Sequence, residues 1–134
     1  MPYDLPRVEF VHWLLVDIPA STTELTEAKD GDGMVARGKP VGAQPYGVRG
    51  VNDYTSWFAG DKDLEGTYGG YDGPWPPFND ERKHRYVFTV YALDVAKLDL
   101  PSEFSNADFK RASQGHVLAQ ASLTGSYAIN PKAR

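Results

Sequence analysis

An all-β domain is what this sequence predicts, and three observations carry the prediction. Thirteen glycines and ten prolines among 134 residues exceed average usage and cut the chain into short segments, as an all-β domain requires. Residues 8–18 (VEFVHWLLVDI) form a dense apolar and β-branched run whose composition suits a buried strand better than a helix. Residues 84–94 (HRYVFTVYALD) alternate, with His84, Tyr86, Phe88 and Val90 pointing one way and Arg85, Val87, Thr89 and Tyr91 the other.

The remaining elements follow in chain order. Pro19 stops the first strand. Residues 21–30 (STTELTEAKD) read as a polar connection holding at most one helical turn, because a cap-like start lacks the apolar stripe that should follow it. From Gly31 to Pro77 the composition predicts loops and very short strands. Tyr46, Tyr54, Trp57, Phe58, Tyr68, Tyr71 and Trp75 within it argue for an ordered, folded-over region, since disordered segments are poor in aromatics. Residues 105–114 (SNADFKRASQ) predict a short helix, with Ser105 and Asn106 as cap types, Asp108 in the first turn and Gly115 as the stop. Residues 116–127 (HVLAQASLTGSY) predict a final strand, because Gly115, Thr124 and Gly125 disfavour extending that helix.

Length sets one domain, residues 1–134, with a single core. No run approaches the roughly 18 apolar residues of a membrane span. The start carries Asp4, Arg7 and Glu9 in place of the basic-then-apolar order of a secretory signal. Cysteine is absent, which removes disulfides and thiolate chemistry and permits a reducing compartment, so the cytoplasm is the expected location. A net charge of −4 without a Lys/Arg cluster argues against nucleic acid and anionic lipid surfaces as partners.

Four blocks say more than pattern does: VHWLLVDIPA at 11–20, GYDGPWPPFNDERKHRY at 70–86, VFTVYALD at 87–94 and GHVLAQASLTGSY at 115–127. Together they resemble the phosphatidylethanolamine-binding proteins, in the bacterial branch often labelled Raf kinase inhibitor-like. The combination of a Gly-Pro-x-Pro-Pro loop leading to His-Arg-Tyr with an upstream His-Trp strand is specific, and the likeness runs from about Asp4 to Tyr127. It implies an antiparallel Greek-key β-sandwich with a small anion pocket at one end. By the same resemblance the pocket is lined by His12, Pro76, Pro77, His84 and Tyr86. Asp4 joins them through Asp4-Leu5-Pro6, which matches only the second half of the family's Asp-Pro-Asp-x-Pro segment.

Elementary chemistry makes the same residues a plausible anion site. Two imidazoles and a phenol offer N–H and O–H donors to a phosphate or carboxylate, whose charge in turn favours the imidazolium. A carboxylate such as Asp4 would orient a histidine through its other ring nitrogen. Prolines add rigid walls, in some cases through cis peptide bonds. Taken alone, a histidine on a strand reads as a hydrogen-bonded core residue, and the resemblance is what assigns His12 and His84 to the pocket. His116 stays structural, as do Trp13, Trp57, Phe78 and Phe88, while Trp75 is placed to narrow or lid the pocket. Glu81-Arg82-Lys83 reads as a solvated turn.

The expected function is therefore a binding module for a small phosphorylated or carboxylate head group, without a cofactor and without catalysis. Two alternatives stand beside it. One is a protein-interaction or inhibitor module that does not use the pocket. The other is a hydrolase assisted by histidine or by a metal held by His12, His84 and Asp4, against which stands the absence of a His-x-x-x-His, His-Glu-x-x-His or Gly-x-Ser-x-Gly spacing. The resemblance also implies strands upstream of Asp4. The expectation is accordingly a truncated domain or one completed by a homodimer, with residues 8–18 or 84–94 at the contact.

Overall fold

The structure is a computed structural model and describes residues 2–134. Strands β1 (Leu15–Val16), β2 (Gly42–Gln44) and β3 (Gly47–Arg49) form an antiparallel sheet in the order β1-β3-β2. Strands β4 (His84–Leu93) and β5 (Val117–Tyr127) form a long antiparallel ribbon. Two helices, α1 (Tyr54–Trp57) and α2 (Asn106–Ser113), complete the set. The domain is all-β in the sense expected, with antiparallel sheets and short helices. No helix among the described residues is long and apolar enough to cross a membrane.

The apolar run 8–18 forms much less ladder than its composition suggests. Only Leu15 and Val16 pair regularly, opposite Arg49 and Val48. Upstream, the backbone is satisfied piecewise by the segment that turns into α1. Gly50 N–H donates to the Leu14 carbonyl at 2.9 Å, Asp53 N–H to the Val11 carbonyl at 2.8 Å, and the Asp53 side chain accepts the Val11 N–H at 2.7 Å. A strand cannot pair continuously with a neighbour that coils into a helix at Tyr54. The run ends at Asp17, whose φ of +54° is left-handed and whose carboxylate accepts the Leu98 N–H at 2.9 Å.

Residues 21–30 are turns without a helix, as the missing apolar stripe allows. The aromatic region 31–77 is ordered and supplies β2, β3 and α1. Helix α2 starts with a reciprocal capping box: Asp108 N–H donates to Ser105 Oγ, and Ser105 N–H to the Asp108 carboxylate at 2.9 Å. It stops before Gly115, whose φ of +81° few other residues adopt cheaply.

Leu14, Val16, Leu98 and Phe104 form the buried apolar core, flanked by Val48, Leu93 and Phe109. Gly50 lets Phe104 pack flush on the backbone, since a Cβ there would stand 2.5 Å from the Phe104 ring. The alternation predicted for β4 orients its rings. Tyr86 and Phe88 meet His12, Trp13 and Tyr71, whereas Tyr91 on the opposite face packs on Phe109 of α2 at 5.4 Å.

Candidate functional site

The site grows from the segment before β1. In extended backbone neighbouring side chains leave on opposite sides, so His12 and Trp13 part company. Trp13 donates its indole N–H to the buried Asp30 and lies on Tyr71 at 5.8 Å. His12 turns into a cluster of rings, with centroids 4.7 Å from Phe10, 5.6 Å from Tyr54, 6.3 Å from Tyr71 and 5.3 Å from Tyr86. Its Nδ1 is buried and has no hydrogen-bond partner among the described residues. Burial pushes the imidazole pKa below its ordinary value and nearby His84 acts the same way, against the opposing pull of Asp53, Asp72 and the Gly73 backbone.

His84 opens β4, two residues from Tyr86 and on the same face. Its Nε2 lies 2.6 Å from Asp80 Oδ2, and about a quarter of its side chain (27%) stays exposed. Asp80 is almost fully buried and is itself clamped by Arg7, whose Nε donates to Oδ2 at 3.0 Å and whose Nη2 contacts Oδ1. These hydrogen bonds, with those from His84 and the Arg82 N–H, hold the Asp80 carboxyl well below the usual carboxylate range despite its burial. An Arg7–Asp80–His84 relay therefore fixes one ring nitrogen of His84. Burial pushes the Tyr54 and Tyr86 hydroxyls up to about 12, so both stay protonated donors throughout the physiological range.

Of two cavities among the described residues, neither is lined by His12 or His84. One of about 260 Å³ sits over the apolar core between Val16, Val48, Leu98 and Phe104. The other, about 360 Å³, is lined by Phe10, Asp53, Ser56 and Trp57 and touches the cluster through Phe10. Among the described residues no three His, Cys, Asp or Glu side chains converge so as to hold a metal ion.

A profile of the phosphatidylethanolamine-binding protein family matches residues 2–128. The chain belongs to that family. Relatives include a UPF0098 protein of Aquifex aeolicus, 34% identical over 92% of this chain and 60% of its own length, and the UPF0098 protein YbhB of Escherichia coli, 34% identical over 87% of this chain and 61% of its own. A crystal structure of a phosphatidylethanolamine-binding protein homologue from Chlamydia trachomatis superposes with a TM-score of 0.61 at 28% identity, covering 88% of this chain and 57% of that one. The chain thus spans about 60% of the length of the curated relatives it matches.

Within this member of the phosphatidylethanolamine-binding protein family the structure brings His12, His84 and Tyr86 together. Pro76 is buried and Pro77 half-buried in the loop before β4, and the Pro77 carbonyl accepts the Asp80 N–H at 3.1 Å. Their part is to deliver Asp80 to His84, and every peptide bond among the described residues is trans. Asp4 departs from the expectation. It is exposed in the N-terminal turn and makes no hydrogen bond or ion pair with either histidine. Asp80 takes the role foreseen for it, because a buried loop carboxylate backed by arginine can approach the ring where a solvated one on the far side of Pro6 does not.

Several residues of the site were not legible as such. Asp80 carries a usable signal, a carboxylate four positions before a histidine in a Pro-rich loop. Arg7 carries none, being 73 residues distant from its partner. Tyr54, Tyr71 and Asp72 come from the loop region, where Asp72 is held by buried Lys39 and keeps a second, unpartnered oxygen in the interior. Expectations for the large aromatics divide. Trp13 and Phe88 pack as foreseen, whereas Trp57 and Phe78 stand 68% and 77% exposed and Trp75 also faces solvent. The Glu81-Arg82-Lys83 turn is tied to both chain ends: Tyr3 N–H donates to Glu81 at 3.1 Å, Arg82 lies over the Tyr3 ring, and Arg134 N–H donates to the Glu81 carbonyl. His116, expected to be structural, lies with Nδ1 2.7 Å from the Asp94 carboxylate where the chain enters β5.

Proposed function

We propose that this chain is a binding module that takes a small anion, a phosphate or carboxylate head group, between His12, His84 and Tyr86. The observation that carries this reading is the His12 Nδ1, a buried polar atom left without a partner beside the Tyr86 ring. Buried polar atoms are ordinarily satisfied, and an exception points to a ligand or an ordered water. The Arg7–Asp80–His84 relay supports it by fixing one nitrogen of an imidazole that is about a quarter exposed. Two of the nearby carboxylates do not repel an anion at full strength, since Asp80 is neutralised by Arg7 and Asp72 by Lys39, while Asp53 accepts the Val11 N–H and opposes the anion. Binding is the role this reading favours, because the donors present match recognition of an oxyanion.

Calorimetric titration with inorganic phosphate and with phosphoethanolamine tests the proposal. Both should bind with a stoichiometry near one per chain, and His84→Ala should weaken them at least tenfold under conditions where circular dichroism finds the variant folded, although the loss of a hydrogen bond to buried Asp80 lowers its urea midpoint. Equal affinity in the parent and in His84→Ala would overturn it.

A further inference from the structure

Among the described residues two buried side-chain polar atoms stand without a hydrogen-bond partner, His12 Nδ1 and Asp72 Oδ2. The chain sets their residues side by side. Asp72 stands between Tyr71, whose ring centroid is 6.3 Å from that of His12, and Gly73, whose backbone acts on the same imidazole. The Asp72 carboxylate acts electrostatically on His12 and also on Tyr54, whose ring lies 5.6 Å from His12.

The two oxygens of Asp72 differ. Oδ1 receives the ammonium of Lys39, which also donates to the Tyr71 carbonyl at 3.3 Å. The lysine and carboxylate side chains are 6% and 1% exposed, so the pair is fixed in the interior with its charges matched. Oδ2 meets no donor among the described residues. A carboxylate oxygen accepts hydrogen bonds and never donates them, and one left buried and unmet is costly. Its partner must therefore bring a hydrogen. An anion held beside it can do so only by keeping an acidic hydrogen of its own, because a bare anionic oxygen would set lone pair against lone pair.

We infer that Asp72 sets the specificity of the anion site, with Oδ2 accepting a hydrogen bond from a protonated oxygen of the ligand while the histidines donate to its other oxygens. The site then takes an oxyanion that retains a hydrogen, such as hydrogen phosphate. It turns away one of the same shape and charge that has none, such as sulfate. The inference rests on the anion site proposed above and adds to it the one acceptor that tells these ligands apart.

Calorimetric titration of the full chain with inorganic phosphate and with sulfate tests it, at a mildly alkaline pH where phosphate is chiefly the hydrogen phosphate dianion. The two anions are then alike in shape and charge and differ by one proton. The parent should prefer phosphate by at least about tenfold, as expected when a buried charged acceptor otherwise faces a group that cannot donate. In Asp72→Asn, Lys39 can only donate and so keeps the amide oxygen, which turns the amide nitrogen, a donor, to the place of Oδ2. The preference should disappear or reverse in favour of sulfate. That substitution leaves buried Lys39 without its counter-charge, so circular dichroism checks the fold. The double variant Lys39→Met/Asp72→Asn buries no unpaired charge; its amide can turn either end to the ligand, and it should lose the preference as well. A parent that binds both anions alike would overturn the inference and leave the anion site standing, as would a preference for phosphate that survives in either folded variant. A parent that binds neither anion overturns the two together.

Discussion

Removing Arg7 isolates the interaction on which the position of His84 depends. The Asp80 side chain is 1% exposed and that of Arg7 17%, so Arg7→Met leaves a carboxylate in the interior without its main counter-charge. Breaking a buried pair in this way costs about 3–5 kcal/mol. Asp80 keeps two partners, His84 and the Arg82 N–H, and Arg7 is partly solvated. The expected loss is therefore about 2–3 kcal/mol, read as a lower urea midpoint at neutral pH. The double variant Arg7→Met/Asp80→Asn should recover part of that loss, because removing both charges of a buried pair is far less costly than removing one. The pH dependence has a definite sign. In the folded state the Asp80 carboxyl is held well below its ordinary value, first by Arg7. That contribution is fully present above the unfolded value of about 4 and is lost as pH falls through the folded value. Arg7→Met should flatten this acid loss. A stability within about 0.5 kcal/mol of the parent, or a double variant whose loss equals the sum of the singles, would refute the relay.

Four further outcomes follow from other parts of the molecule. Phosphate affinity should strengthen as pH falls from about 7.5 to 5.5, because burial lowers the His12 pKa and a bound anion favours the imidazolium; calorimetry in buffers of different ionisation enthalpy would register the proton uptake, and a pH-independent affinity removes His12 from the site. Without ligand the same shift works against the fold, since the unfolded chain binds the proton more readily, so stability should decline as pH drops below about 6.5. Asp30→Ala leaves Arg49, which donates to Asp30 at 2.7 Å, without its carboxylate in the interior, and should cost about 3–5 kcal/mol in urea unfolding; a loss under about 1 kcal/mol would show that Tyr46 and the Pro40 carbonyl suffice for Arg49. Gly50→Ala drives a methyl against the buried Phe104 ring and should cost about 1–3 kcal/mol, with a shifted near-ultraviolet spectrum as its signature.

What the sequence made legible was local. The alternation from His84 to Leu93 reports a surface that buries one side, and period two survives whatever lies beyond it. The α2 start is a contest settled within four residues by Ser105 and Asp108. The extent of β1 is different in kind. Residues 8–14 have strand composition, yet whether they pair depends on residues 50–53, and those are committed to α1 by Asn52, whose side chain accepts the Tyr54 N–H at 3.0 Å. Composition cannot foresee where a partner strand stops. The site shows the same limit. His12, His84 and Tyr86 sit in contiguous motifs and were found there. Arg7, Asp53 and Lys39 act across 73, 42 and 33 residues, and no spacing rule connects such positions.

The distant pairs also explain how a loop-rich chain holds a defined site. Regular ladders tie β4 to β5 and the three short strands to one another and carry His84 and Tyr86, but His12 and the segments that hold it lie outside them. Asp30 with Arg49 fastens the turn region 21–31 to β3, Lys39 with Asp72 closes the long aromatic loop, and Arg7 with Asp80 binds the N-terminal turn to the approach to β4. Each pair ties down at least one stretch of irregular backbone, and in each the carboxylate is almost fully buried. Desolvation offsets much of the Coulombic gain in such pairs, so their net contribution to stability is small compared with the cost of breaking them. Their effect is on geometry, because a buried carboxylate tolerates few positions for its donors. Screening by salt acts on the exposed Arg111–Asp108 pair of α2 and scarcely reaches the three buried ones. The placement of His12 and His84 therefore rests on interactions that ionic strength leaves alone and that protonation of one carboxylate would undo.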